Sequence, residues 1–224
     1  ELAAAGVTLG IAHAPGHPLY VILSYTASLL PFGSVGFRVA LLSALFGALS
    51  VALLFRVICE LCAAESDRAT QGLAAFGALT FALSDALWFQ SVRAEVYTLQ
   101  LAIALFVFLL ALRWAKEAKV ERGVLLVGAF IIGLGAGNHH LLLLAICPAL
   151  ALLILASRPQ RQLIVQALPA LGATLCFGLC IYLLLPLRAM HDPALNYGHP
   201  NSLGRFLDLV MAKVFVASVT EVEP

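Results

Sequence analysis

Charge is what this sequence has least of. Only 11% of its 224 residues are Asp, Glu, Lys or Arg, against roughly 25% in an ordinary soluble domain. Hydrophobic residues make up 62%, and the mean hydropathy is +1.00. A soluble globule of this size cannot hide that much apolar surface, because half or more of any folded exterior is already apolar. The net charge of +1 leaves no basic footprint, so nucleic acid is excluded as a partner. GxGxxG, P-loop, HExxH and GxSxG patterns are all missing, which removes the common soluble-enzyme chemistries. No basic n-region precedes an apolar stretch, and the first residue is Glu1 rather than Met. No signal peptide is therefore expected, and the chain is read as a fragment of a longer protein. An all-α integral membrane protein is the class that remains.

Cysteine is present but carries no framework. Cys59 and Cys62 form a lone CxxC, and Cys147, Cys176 and Cys180 sit in apolar runs. All five are read as small buried hydrophobes. A zinc or thioredoxin-type reading would need a second pair or a βαβ context.

Six apolar segments approach the ~20 residues that a span requires. They fall at about 38–58, 72–90, 95–114, 123–138, 140–156 and 163–186. The polytopic bundle is one membrane domain over 1–224. Residues 1–34 form an outer loop with interfacial helices, 35–187 the transmembrane bundle, and 188–224 an outer loop and helix. Alternate loops hold Arg56, Arg68, Arg113, Lys116, Lys119, Arg122, Arg158 and Arg161, which the positive-inside rule assigns to the cytoplasm. Segment 15–31 is apolar, but Pro15, Pro18 and Pro31 leave it too short to span. It is expected to lie on the outer surface.

Under that topology all six histidines share the outer side. Arg93 and Glu95 sit in a connection so short that both must lie near the hydrocarbon boundary. Such charges either pair to tie two helices together or face a wet functional cavity. Gly137-Asn138-His139-His140 interrupts an apolar stretch. The ~16 residues before it reach about 24 Å, short of a ~30 Å core, so this turn should be recessed. It is either a plain polar hairpin or part of a site. Adjacent His139 and His140 do not share a helix face and make a poor metal pair. His13 and His17 have Pro15 and Gly16 between them, which argues against a helical pair. No metal site is assigned, and a divalent metal is not favoured. Tyr97 and the neighbouring aromatics read as an interfacial belt on spacing alone.

Four stretches carry a resemblance. They are Glu1-Leu2 with Leu9-Gly10 through Pro15-Gly16 and Pro18-Leu19-Tyr20; Ala94-Glu95-Val96-Tyr97-Thr98-Leu99; Gly135 and Gly137-Asn138-His139; and Leu185-Pro186 with Arg188, Asn196 and Gly198. In order and content these resemble the protein O-mannosyltransferase-like membrane family, of the glycosyltransferase-C superfamily. The resemblance implies a polytopic bundle of glycosyltransferase-C type, with about six spans plus outer interfacial helices. It implies a donor substrate in the form of a polyprenyl-phosphate sugar and a protein Ser/Thr acceptor. Mannose would be transferred with inversion on the non-cytoplasmic face, in a bacterial inner membrane. The family's first outer loop reads Asp-x-Gly-Glu-Phe/Leu. Glu1-Leu2 matches its last two positions only, so the main catalytic Asp would precede this fragment. Ala14 and His17 depart from the family's Pro and Tyr.

On this reading Glu1 and Glu95 are the catalytic carboxylates. His13, His17, Arg93, Tyr97, Asn138, His139, Arg188 and Asn196 are expected to bind the donor phosphate or substrate. The partners are membrane lipid, the lipid-linked donor and a protein acceptor. A transporter or lipid-carrier permease with an outward polar cavity is the rival reading. It predicts paired half-segments with polar residues at the midplane.

Overall fold

A computed structural model describes residues 1–62, 67–116, 122–156 and 161–213. Lys119, Arg158 and the last part of the 188–224 segment lie outside the described residues. The elements are helices: α1 (Leu2–Thr8), α2 (Pro18–Ser28), α3 (Val35–Leu61), α4 (Arg68–Ala82), α5 (Asp85–Ser91) and α6 (Tyr97–Lys116). They continue with α7 (Arg122–Leu143), α8 (Cys147–Ala156), α9 (Arg161–Leu179), α10 (Leu184–Ala189) and α11 (Leu203–Val210). Their starts follow from capping hydroxyls and carboxylates. Ser34, Asp67, Ser84 and Ser202 each accept a backbone N–H from the first turn of α3, α4, α5 and α11, satisfying donors that a helix leaves open.

Four stretches are long and apolar enough to cross a bilayer: Val35–Leu61, Tyr97–Lys116, Arg122–Leu153 and Ile164–Ala189. The α4–α5 pair passes the same test but is bent by 62°. The apolar segment expected over 72–90 is thus two helices with a break between them. The break falls at Ser84, whose hydroxyl bonds Phe81 O at 2.7 Å and accepts the Leu87 N–H at 3.4 Å. The side chain thus ends one helix and starts the next.

The stretch Arg122–Leu153 reverses instead of running straight. His139 has non-helical backbone angles. Val124, Leu125, Leu150 and Leu153 line one apolar cavity of about 450 Å³ together with Trp114. At 1.5 Å per residue a straight helix would hold Val124 and Leu153 some ~40 Å apart. The two halves of this stretch therefore fold back beside one another among the described residues.

The two ends differ. At one, Glu60 of α3 is buried and meets Arg113 Nε at 2.7 Å and Lys116 Nζ at 3.4 Å, both from α6. These charges clamp α3 to α6. At the other, polar end, α2 begins at His17, bonded to Asn138 O, and its continuation returns to Arg38, which bonds Leu30 O. Both ends of the 15–31 segment thus lie at the same level. Its 11-residue helix is roughly 16 Å long, shorter than a ~30 Å hydrocarbon core.

The cysteines are all free, and only Cys59 is buried; Cys62, Cys147, Cys176 and Cys180 are exposed. Periodicity gave their apolar setting but not the face they occupy.

Helices α7 and α9 cross at backbone contact. A Cβ on Gly133 would fall 2.9 Å from Gly178 Cα and against Leu175 O, and one on Gly178 would meet Gly133 Cα at 2.9 Å. Small residues permit this approach where no hydrophobic force drives helices together in lipid. Gly128, on the same helix, has nothing near its missing Cβ. Gly133→Ala should lower the thermal midpoint in detergent, by the equivalent of about 1–3 kcal/mol. Gly128→Ala should be neutral or gain up to about 1 kcal/mol of helix propensity. Equal behaviour of the two would contradict the crossing.

Candidate functional site

The loop after α1 is fixed from both sides. Ile11 N–H donates to Leu195 O at 2.7 Å, and Tyr197 N–H donates to Ile11 O at 3.1 Å. Gly10 permits this, because a Cβ there would lie 2.6 Å from Leu195 O. Arg188 donates to Leu9 O at 2.7 Å and to Thr8 O at 3.3 Å. A cation on those carbonyls also suits the negative pole of α1.

So held, His13 faces Glu1. Glu1 Oε1 accepts the His13 N–H at 2.6 Å and lies 3.2 Å from His13 Nδ1. Glu1, His13, Arg93 and Glu95 line one cavity of about 580 Å³, whose wall includes Gly36 and Ala40 of α3. Partial burial pushes the Glu1 carboxyl up, but the His13 amide, charge and ring together hold it below its usual range.

Glu95 is placed through its backbone. Its N–H donates to Ser43 Oγ at 3.2 Å, and Ser43 Oγ–H donates back to Glu95 O at 3.2 Å. Tyr20 OH lies 3.3 Å from the same oxygen. Among the described residues the Glu95 carboxylate has no ion-pair or hydrogen-bond partner. Arg93 does not pair with it; the guanidinium carbon stands 4.5 Å over the Phe89 ring, a cation–π contact. The open alternative of an Arg93–Glu95 tie is thereby not what the geometry adopts.

Asn138 is fully buried. Its amide nitrogen donates to Val96 O at 3.0 Å and Gln100 Oε1 at 2.9 Å. The Asn138 backbone carbonyl can only accept, so His17 Nδ1, 2.5 Å away, carries the proton. Neutral His17 then keeps its lone pair on Nε2. From His13 the rings run in sequence: His13 to His17 at 5.1 Å, His17 to His139 at 5.6 Å and His139 to Tyr97 at 6.0 Å between centroids. Burial drives the His17 imidazole down to about 4 from 6.5, with the Asn138 carbonyl opposing and His13 and His139 reinforcing.

The structure thus brings together Glu1, His13, Arg93 and Glu95, with His17, Asn138, His139 and Tyr97 adjoining. It does not bring Arg188 or Asn196 to the cavity wall. Arg188 grips α1, and Asn196 Nδ2 bonds Asp192 Oδ1 and meets His199 Nδ1, both at 3.1 Å. Sequence reasoning missed Gln100, Ser43 and Tyr20. Gln100 had a signal, being a polar residue one turn after Tyr97 inside an apolar helix.

Residues 1–163 match the profile of the family described as the protein O-mannosyl-transferase TMEM260 N-terminal domain. The chain is similar to the protein O-mannosyl-transferase TMEM260 of mouse (Mus musculus), with 33% identity over 211 residues. That match covers 92% of this chain and 29% of the mouse protein, so the chain spans less than a third of that relative's length. No solved structure matches.

The burial of neutral His17 has a pH consequence. As pH falls below 6.5 the unfolded chain binds a proton that the folded site refuses until about 4. Stability is unaffected by this group above that window and falls progressively within it, by up to roughly 3 kcal/mol. The thermal midpoint should drop between those pH values, and His17→Gln should flatten the drop. An unchanged slope in His17→Gln would assign it to another group.

Proposed function

Because the chain belongs to the protein O-mannosyl-transferase TMEM260 N-terminal domain family, we propose that it takes part in moving mannose from a polyprenyl-phosphate donor to a protein Ser/Thr hydroxyl. The acceptor oxygen attacks the anomeric carbon, the bond from that carbon to the phosphate oxygen breaks, and the configuration inverts. The hydroxyl proton goes to a carboxylate, and the electron pair leaves on the phosphate. The reaction takes place on the non-cytoplasmic face, where the loops with fewer Lys and Arg lie.

One observation carries this reading: the Glu1 carboxylate, from the start of the chain, lines the same cavity as Arg93 and Glu95 from the α5–α6 connection, at one end of the bundle. Glu95 is the stronger candidate for the proton, because its carboxylate is unengaged while its backbone is held. Glu1 is tied to His13 and orients that loop. Arg93 is placed to stabilise the departing phosphate, the role that fixed cations fill where negative charge develops. Arg188 acts as a positioning residue through α1. Polar groups gathered at one end also suit a lipid-linked donor, whose phosphate sits at the membrane boundary while its tail stays in hydrocarbon.

The test uses the full-length protein with a polyprenyl-phosphate mannose and a protein acceptor. Glu95→Gln and Arg93→Ala should each lose about 10²-fold or more of transfer while keeping the wild-type thermal midpoint. Wild-type turnover in both variants would remove this cavity from the chemistry.

A further inference from the structure

A second cavity adjoins the carboxylate cavity and has no role in the steps above. It is an open bay of about 790 Å³ lined by Asp85, Trp88, Phe89, Gln90, Val92 and Tyr97. Asp85, Trp88 and Phe89 lie three and four residues apart on α5, so they share one helix face. Trp88 is 62% exposed, Phe89 54% and Tyr97 41%, whereas Leu87 between them is buried. The Asp85 carboxylate makes no ion pair or hydrogen bond to a described residue.

Two contacts join the bay to the site. Phe89 lies beneath the Arg93 guanidinium, and Val92 belongs to the walls of both cavities. Tyr97 faces the bay and also stands 6.0 Å from His139, the end of the imidazole series.

An interfacial aromatic belt would account for the rings alone. It gives no role to Asp85, whose unengaged carboxylate stands on the same face beside the rings. A face that offers both rings and a free carboxylate is matched to a ligand with an apolar face and a hydroxylated edge. Sugars have this chemistry: their C–H faces stack on aromatic rings, and their hydroxyls donate to carboxylates. The volume lies in the range of small-molecule sites.

We propose that this bay is a hexopyranose subsite, with the sugar stacked on Trp88 or Tyr97 and hydrogen-bonded by Asp85 and Gln90. It deepens the mannosyl-transfer reading and rests on it for the identity of the sugar. Bound there, a sugar lies beside the Arg93 wall of the carboxylate cavity. Loss of a stacking ring then weakens binding more than it slows the chemical step.

The test has two arms on the full-length protein in nanodiscs. In the first, saturation-transfer NMR is recorded with methyl α-D-mannopyranoside and no lipid donor. The wild type should saturate the sugar protons, and Trp88→Ala and Asp85→Asn should each weaken the apparent affinity by about tenfold. Phe76→Ala, an exposed ring on α4 far from the bay wall, should behave as wild type. Absence of saturation in the wild type, or equal affinity in Trp88→Ala, overturns the proposal. In the second arm, Trp88→Ala should raise KM for the polyprenyl-phosphate mannose about tenfold, with a much smaller change in kcat. A KM change confined to a glycosylated acceptor would place the acceptor's sugar in the bay instead. If the wild type transfers no mannose yet the NMR pattern holds, the transferase reading falls and the subsite stands.

Discussion

The buried amide of Asn138 holds the polar end together. In a low-dielectric interior an unpaired amide is costly, so its bonds are structural commitments. Through Val96 and Gln100 its side-chain nitrogen fixes the start of α6, and its backbone carbonyl fixes His17 at the start of α2. Asn138 itself stands beside His139, where α7 breaks from helical geometry. Three segments far apart in sequence thereby converge on one residue. The imidazole series and the Glu1–His13 contact are arranged outward from it.

Hydropathy showed the depth of each segment well. Apolar run length located the long helices α3, α6, α7 and α9, and the prolines of 15–31 accompany a helix of only 11 residues. Depth also predicted that Glu1, His13, Arg93, Glu95, Asn138 and His139 would occupy one end. What the pattern could not give is azimuth, the direction each side chain takes around its helix or loop. Arg188 and Asn196 lie at the right level, but their bonds to Leu9, Thr8 and Asp192 turn them away from the cavity. Arg93 and Glu95 were read as either partners or site residues, and only geometry shows that one sits on Phe89 and the other on Ser43. The Ser84 break and the Glu60 clamp were hidden for a related reason. Each depends on a local bond that composition does not register.

The two cavities at the polar end differ in chemistry as the two halves of a glycosyl donor differ. One has carboxylates and a cation, suited to a proton and a phosphate. The other has rings and a carboxylate, suited to a ring of hydroxyls. Their shared wall, Val92, with Phe89 stacked under Arg93, comes from the few residues between α5 and α6. The bend at Ser84 sets the direction of α5 and therefore the position of that wall.

The glycine contact between α7 and α9 has a consequence for traffic. With Gly133 and Gly178 touching backbone to backbone, no acyl or isoprenoid tail can slip between these two helices at that level. A lipid-borne molecule must then enter sideways elsewhere on the circumference. The α4–α5 flank, bent by 62°, has no such seam at its glycines: nothing lies near a Cβ on Gly72, and Gly77 meets only the Ile58 side chain.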